Sequence, residues 1–468
     1  MQPQLMPLTQ QSMAASLPTQ ALERPSASGR ARVLLLTSGL GLGHVRAAQA
    51  IEAALGSSAE TYTLDLWSLM NRGVARAVHE IYLTLVQNYP QLYERLYRLD
   101  EHTWRQILES ESGPPREVLE VLELISEIAA DVTERAPRGG RYGSDRLLLS
   151  LLCAALPYDS DSLAGNGVRA RLTLMKWAWQ RLIRRLEPAV RKFSPHVIIS
   201  TQMIPAAMAS YLKQRGKLTA PIIGVITDFG VHDFWIQQGT DYYCVAHESI
   251  AAGMSAVRAH ATKVATGVPL MPAFARPMLQ AEARRELGLP QGEPVVLVLG
   301  GGLGLSVDTA VRALLERQTD AFVLALPGRN HAARASLSAL AAHNNRIRVY
   351  DWTDRMDLYL RAADVVVGKP GGISVAEALA CGRPVLATRS LGGQEGFNVD
   401  FLERNGVGGL VADGELSGRL QALLADRTQL EAMQRRAWDL GRRDGAAHIA
   451  RLALELGAAR GSVLLEAR

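Results

Sequence analysis

The chain has 468 residues, 48% of them apolar and 21% charged. That length and balance exclude a disordered or collagen-like protein and imply two or three globular domains. The net charge of +5 is local: eight Lys or Arg face one acid, Glu187, between Arg169 and Lys192, which leaves the remainder near −2. Three cysteines, Cys153, Cys244 and Cys381, lie too far apart in sequence to suggest a disulfide framework or a thiolate metal site.

Residues 1 to about 30 lack a basic start and a continuous apolar core, so they are expected to form a disordered tail rather than a signal peptide or anchor. The first strand is expected at Val33–Ser38, followed by a turn on Gly39, Gly41 and Gly43. A helix then follows with Ala47, Ala48, Ile51 and Leu55 on one face. A second strand falls near Thr61–Leu64. From 70 to about 190 the pattern is mostly helical, broken by polar loops at Ser112–Pro115, Pro137–Asp145 and Tyr158–Gly167. The apolar run Leu147–Pro157 is too short to cross a bilayer. Strands return at His196–Thr201, Pro221–Asp228 and Asp241–Ala246.

Beyond a Pro-rich connection, Thr266–Pro277, the plan repeats. Strands are predicted at Val295–Gly300, Ala321–Leu326, Ile347–Trp352, Asp364–Gly368 and Pro384–Thr388, with helical patterns between them. The predicted fold is α/β: two Rossmann-like, doubly wound parallel-sheet domains facing across a cleft, with a hinge near 265–280. The first would run from 31 to 265 with a helical insertion over about 70–190. The second would run from 266 to 468, its last helix packing back on the first. Ligands in such folds bind at the carboxyl ends of the strands, where both glycine turns sit, at Gly39–Gly43 and Gly300–Gly304.

A dinucleotide is the first ligand to test, because Asp65 lies about twenty residues beyond the first turn. The spacing fails in both copies: the third fingerprint position is His44 after Gly39 and Gly41, and Val307 after Gly302 and Gly304. Glycine at either turn could simply let a strand fold back into a helix, or its amides could form an anion site. The stretch Gly368–Ala378 (GKPGGISVAEA) is more specific. Pro370 stops a helix from extending backwards, Gly371 and Gly372 expose amides, and Ser374 with Glu377 spells a capping box. Glu377 then has two readings, a cap or an acceptor for a ribose diol beside a diphosphate held at the helix start.

Taken together, Gly300-Gly-Gly-Leu-Gly304, Gly328-Arg-Asn330, Lys369-Pro-Gly-Gly372 with Glu377, and Gly393-Gln-Glu395 with Asn398 resemble the donor half of the diacylglycerol glycosyltransferases. That family includes bacterial processive diacylglycerol glucosyltransferases and plant monogalactosyldiacylglycerol synthases. The resemblance continues in Gly41-Leu-Gly-His44-x-x-Ala-Ala48, Tyr82–Asp100, Val225-Ile-Thr-Asp228 with His232 and Trp235, and Thr266-Gly-Val-Pro269, and it spans most of residues 31–412. The segment from about Glu101 to Arg185 departs from it, being longer than the family usually carries.

The resemblance implies a GT-B enzyme that transfers a hexose, with inversion, from an α-linked UDP-sugar bound on the C-terminal half to an acceptor bound on the N-terminal half. His44 would be the base, kept neutral by its place at a helix start, with Asp228 as the reserve candidate or as the group that orients His44. A histidine that only hydrogen-bonds within its turn is the plainer reading of the same residue. The amides of Gly301, Gly302 and Gly304 and of Gly371, Gly372 and Ser374 would meet the diphosphate, with Arg329 as a further phosphate contact. Glu377 would bind the ribose, the Thr353 backbone the uracil, and Gln394 and Glu395 the donor sugar. No cofactor or metal is required on this reading, and Asp159-Ser-Asp161 reads as a solvated loop.

A lipid acceptor has to be met at an interface. Tyr89, Tyr93 and Tyr97 recur at helical spacing beside Arg95 and Arg98, and Lys176, Trp177, Trp179, Arg181, Arg184 and Arg185 form a second cationic segment. Both suit a helix on an anionic membrane surface, and both also suit packing helices with solvated charged faces. No nucleic-acid reader motif accompanies the charge. The expected setting is peripheral, on the cytoplasmic side of a membrane. The alternatives are a cell-wall lipid-intermediate N-acetylglucosaminyltransferase and a non-catalytic UDP-sugar-binding membrane protein.

Overall fold

The computed structural model describes residues 30–39, 41–70, 166–254, 261–304, 306–316, 320–388 and 393–466. Tyr89, Tyr93, Tyr97 and the Asp159/Asp161 pair lie outside the described residues, as does the side chain of Trp177.

Two six-stranded sheets form the frame, and every strand pair is parallel. The first comprises β1 (Ala31–Thr37), β2 (Ala59–Asp65), β3 (Val197–Ser200), β4 (Ile222–Val225), β5 (Tyr242–Cys244) and β6 (Thr262–Val264), in the order β2-β1-β3-β4-β5-β6. The second comprises β7 (Val295–Leu299), β8 (Phe322–Leu326), β9 (Ile347–Val349), β10 (Val365–Gly368), β11 (Val385–Ala387) and β12 (Gly408–Leu410), in the order β12-β11-β10-β7-β8-β9. In each sheet the chain reverses its direction of winding beside the first strand, β1 or β7. The turn that leaves that strand therefore opens at the switch-point crevice.

The strands are continuous apolar runs because both faces are covered. Along β1, Val33 and Leu35 enter one core cluster while Leu34 and Leu36 enter another on the opposite face. Along β7, Val295, Leu297 and Leu299 face one cluster, and Val296 and Val298 the other. Of the three three-residue edge strands, β6, β9 and β12, the first and last are absent from the sequence expectation. β6 is Thr262-Lys263-Val264 with a single apolar residue, and β12 opens on the Gly408-Gly409 pair.

The last helix, Gly445–Glu466, lies on the first sheet, where Ile449, Ala450 and Ala453 join Val33, Leu35 and Ile51 in one buried cluster. The chain thus crosses between the halves twice, and the crossings touch. A Cβ at Gly445 would stand 2.9 Å from the Gly267 carbonyl oxygen, and one at Gly267 would stand 2.4 Å from Arg442 Cβ. Within the second half, Arg284 is 5% exposed and pairs with Asp364 at 2.7 Å. It also donates to the carbonyls of Ala362, Gln291 and Glu293, while Asp364 accepts from the Val295 amide. This fully bonded buried pair fixes where β7 and β10 begin side by side.

Candidate active site

The first glycine turn is closed by a carboxylate. Asp65, at the end of β2, accepts from the amides of Gly39 at 3.1 Å and Trp67 at 3.0 Å. A Cβ on Gly39 would stand 2.5 Å from Asp65 Oδ2, so the turn needs glycine there. This is the acid twenty residues on, and its role is to shape the turn. The helix Leu42–Leu55 starts immediately afterwards, capped by the extended Gly41 without a side-chain bond. His44 falls in its first turn. The His44 carbonyl accepts from Thr201 Oγ1 at 2.9 Å, and its Nδ1 lies 3.4 Å from Thr227 Oγ1. Burial of the ring among these groups pushes the imidazole down to about 4, against a hydrogen bond with the Thr201 backbone that works the other way, so the ring is neutral at pH 7.

The second turn is one short 3-10 segment, Gly301–Leu303, with Gly301 and Gly304 both at positive φ. A Cβ on Gly304 would come within 2.0 Å of the Pro327 carbonyl oxygen, and one on Gly328 within 2.5 Å of the Gly301 carbonyl oxygen. The Arg329 amide donates to Gly302 O at 3.3 Å, which interlocks the turn with the loop after β8. The Arg329 guanidinium lies 4.9 Å from the ring centre of Trp352, which is 41% exposed. Next to it, Thr353 Oγ1 accepts from the Arg355 amide.

After β10, Gly368 at φ 151° leads through Lys369 and Pro370 into the helix Gly372–Ala380, whose N-cap is Gly371. The helix begins three residues earlier than a Ser374 cap requires. Ser374 sits inside the first turn, no side chain of the helix caps it, and the Ser374–Glu377 capping box is not formed. Across the cleft the Asp228 carboxylate lies against this helix start, and its interaction with the Gly372 backbone holds the carboxyl down. A Cβ on Gly372 would meet the Thr227 carbonyl oxygen at 2.1 Å and Asp228 Oδ1 at 2.6 Å. The carboxylate of the first half thus caps the helix of the second. Burial raises Asp228 to about 6, with nearby Glu395 adding to the shift, while Asn398, Lys369 and Gly372 restrain it.

Glu377, freed from capping, faces Arg46 and Asp357. Burial raises its carboxyl to about 8, Arg46 opposes the shift and Asp357 adds to it. Arg46 belongs to the His44 helix and crosses the cleft to Asp354 at 3.0 Å. Gln394 opens the helix Gln394–Arg404 after Gly393 at φ 55°. Glu395 is 3% exposed and ion-paired with Lys369 at 2.5 Å. Further along that helix the Asn398 side chain, fully buried, bonds to Phe229, Asp228 and Pro370.

The structure therefore gathers His44, Asp228, Gly301–Gly304, Arg329 and Thr353, Gly371–Glu377, and Gln394–Glu395 around one cleft. The cationic segment lies elsewhere, on the helix Asn166–Phe193. Leu182, Ile183, Leu186, Val190 and Phe193 of that helix are buried, and Arg181, Arg184, Arg185, Arg191 and Lys192 are exposed. Trp179 of the same helix is half-buried and packs against the core cluster that holds Leu182 and Ile183. Arg185 also donates to the Leu69 carbonyl. Arg46, Lys369, Thr227 and the bonds of Asn398 were not assigned site roles from sequence. Only the Asn398 spacing, three residues after Glu395 and so on the same helical face, signals any of them.

Residues 170–270 match the family model of monogalactosyldiacylglycerol (MGDG) synthase, and residues 280–438 match that of the group 1 glycosyl transferases. The processive diacylglycerol beta-glucosyltransferase of Bacillus subtilis (strain 168) is 30% identical over 263 residues, which cover 55% of this chain and 68% of that protein. The chain belongs to the diacylglycerol glycosyltransferase family. The enzyme of the same name from Bacillus licheniformis is 30% identical over 258 residues, 54% of this chain and 66% of its own. Among solved structures, Acinetobacter baumannii MurG aligns with a TM-score of 0.52 at 14% identity, covering 91% of this chain and 99% of that one. The S. aureus MnaA–UDP co-structure aligns at 0.50 and 12%, covering 90% and 95%. These neighbours share the fold, two Rossmann-like domains in the GT-B arrangement.

Proposed function

We propose that this protein transfers a hexose from a UDP-sugar to diacylglycerol at a membrane surface, inverting the anomeric carbon. One observation carries the reading: the start of the His44 helix lies directly on both donor-side glycine loops. A Cβ on Gly302 would stand 2.1 Å from Leu42 Cδ1, and one on Gly43 would stand 3.2 Å from Ile373 Cγ1. A reacting sugar held by those loops therefore lies against the helix turn that bears a neutral imidazole.

In the proposed reaction the acceptor hydroxyl oxygen forms a bond to the anomeric carbon as the bond to the diphosphate oxygen breaks. The electron pair leaves with UDP, and the hydroxyl proton passes to His44. The amides of Gly301–Gly304 and the N-terminus of the helix Gly372–Ala380 would receive the diphosphate charge, so no metal is invoked. A base held near 4 is weak, but an arriving diphosphate places negative charge beside it, which favours imidazolium and strengthens the base when donor is bound. Glu377 would accept from the ribose diol, Thr353 would present its backbone to the uracil beside Trp352, and Gln394 and Glu395 would contact the sugar. Inversion of an α-linked donor yields a β-linked product, which agrees with the names of the Bacillus relatives.

No helix among the described residues is long and apolar enough to cross a membrane. The exposed arginines of the helix Asn166–Phe193 would dock the protein on anionic headgroups of a cytoplasmic leaflet. The test is incubation with diacylglycerol liposomes and separate UDP-glucose and UDP-galactose, followed by mass analysis of the lipids. A hexosyl-diacylglycerol is the expected product. If neither donor yields one while UDP still binds, the reading fails.

A further inference from the structure

Asn398 lies on the donor half but holds a segment of the acceptor half. Its side chain is 0% exposed, and three hydrogen bonds engage it. Oδ1 accepts from the Phe229 amide at 2.7 Å, and Nδ2 donates to Asp228 Oδ1 at 3.0 Å and to the Pro370 carbonyl at 2.9 Å. The orientation of the amide is dictated by these partners. A flipped side chain would set NH2 against the Phe229 N–H and oxygen against two acceptors.

Each partner leads to a different part of the cleft. Pro370 joins Lys369 to the donor helix Gly372–Ala380, and Lys369 holds Glu395, one helical turn before Asn398. Asp228 caps that helix through Gly372. Thr227, next in the chain, has its hydroxyl 3.4 Å from His44 Nδ1. Asn398 therefore ties the donor half to the Asp228–Phe229 segment and, through the neighbouring Thr227, to the groups beside His44.

We propose that Asn398 is a positioning residue for transfer, the interdomain clamp that sets Asp228 and the Thr227–Phe229 segment against the donor loops when the cleft is closed. It rests on the reading of this cleft as the site of hexosyl transfer. It also predicts that the amide, rather than the volume of the side chain, is what matters. A carboxylate of the same shape would lose both donors and face the Asp228 carboxylate and the Pro370 carbonyl oxygen.

Asn398→Ala and Asn398→Asp in the full chain test it, with transfer to diacylglycerol in liposomes, UDP binding by calorimetry and amide hydrogen exchange of the Ile222–Trp235 region. Misplacement of reacting groups by about 1 Å costs about 100-fold, so kcat is expected to fall by about that factor in Asn398→Ala. The donor KM should stay within about 3-fold, since the uniform binding of UDP is untouched. Asn398→Asp should be at least as impaired despite its shape. The groups facing Asp228 are Lys369, Glu395 and the Gly372 amide, with His44 reached through Thr227. Loss of the Asn398 donor raises the Asp228 carboxyl further above its present value of about 6. The Phe229 amide should exchange about tenfold faster. The proposal is overturned if kcat stays within about twofold of wild type in either variant, or if UDP affinity and melting temperature fall in step with kcat, which marks a merely structural role. Should the wild type transfer to no donor, the function reading fails, while faster or unchanged Phe229 exchange still decides whether Asn398 clamps the segment.

Discussion

In the donor-free protein Glu377 holds a proton at neutral pH, and a ribose diol asks it to give that proton up. Its carboxyl is raised to about 8 by burial, with Asp357 adding to the shift and Arg46 opposing it. At pH 7 such a group is protonated in about 0.9 of the molecules. An ionised carboxylate is the form that accepts two O–H bonds, so UDP binding should release close to one proton at pH 7. Affinity should tighten roughly tenfold per pH unit between about 6 and 8 and then level off. Calorimetry in buffers of different ionisation enthalpy measures the release directly, and Glu377→Gln should abolish both the release and the pH dependence while weakening UDP binding. Stability gives an independent check. Because the folded value lies above the unfolded one, near 4.5, wild-type stability is fully present below about 4.5 and declines as pH rises through about 8. Glu377→Gln does not titrate, so its melting temperature should gain on wild type from pH 5 to about pH 8 and then hold its lead. Proton-neutral UDP binding with a flat pH dependence would refute the ribose contact, and a variant that loses stability equally at all pH values would refute the buried-acid account.

His44→Ala should reduce transfer by at least about 100-fold, the lower range for loss of a general base, while UDP affinity measured by calorimetry stays at the wild-type value. Arg284→Ala leaves the half-buried Asp364 without its paired cation, and urea unfolding should show a loss of about 3 kcal/mol. Arg184→Glu combined with Arg185→Glu reverses two exposed charges on the helix Asn166–Phe193, so sedimentation with anionic vesicles should fall sharply and neutral vesicles should show no change.

The sequence exposed the frame through composition rather than periodicity. Runs such as Val295–Leu299 have no polar alternation because helices cover both faces of the sheet, and that uninterrupted apolarity is itself the sign of a buried parallel strand. Helix starts were legible only where local chemistry governs them. The Ser374-x-x-Glu377 pattern pointed to a cap that is not formed, and at Gly372 the helix start instead lies against Asp228 of the other half. The pairs that join the halves share this property. Asn398 and Asp228 are 170 residues apart, and Arg46 and Asp354 are 308 apart. Nothing in a single sequence encodes that proximity, because hydrogen-bonding residues at such separations have no spacing rule to reveal them.

The two glycine turns show how one local device can serve two ends. Each leaves the first strand of its sheet at the switch point, and each needs glycine for close backbone approach. In the first, the Gly39 amide is already taken by Asp65, whose carboxylate also accepts from Trp67. An anion arriving there would meet fixed negative charge, so the turn is unsuited to a diphosphate and is left to carry His44 into the cleft. In the second half the carboxylate at the donor helix comes from outside, on Asp228, and is held by Asn398 at the seam between the halves. The fixed carboxylate at the first turn therefore supports the proposal that the donor diphosphate is held on the second half.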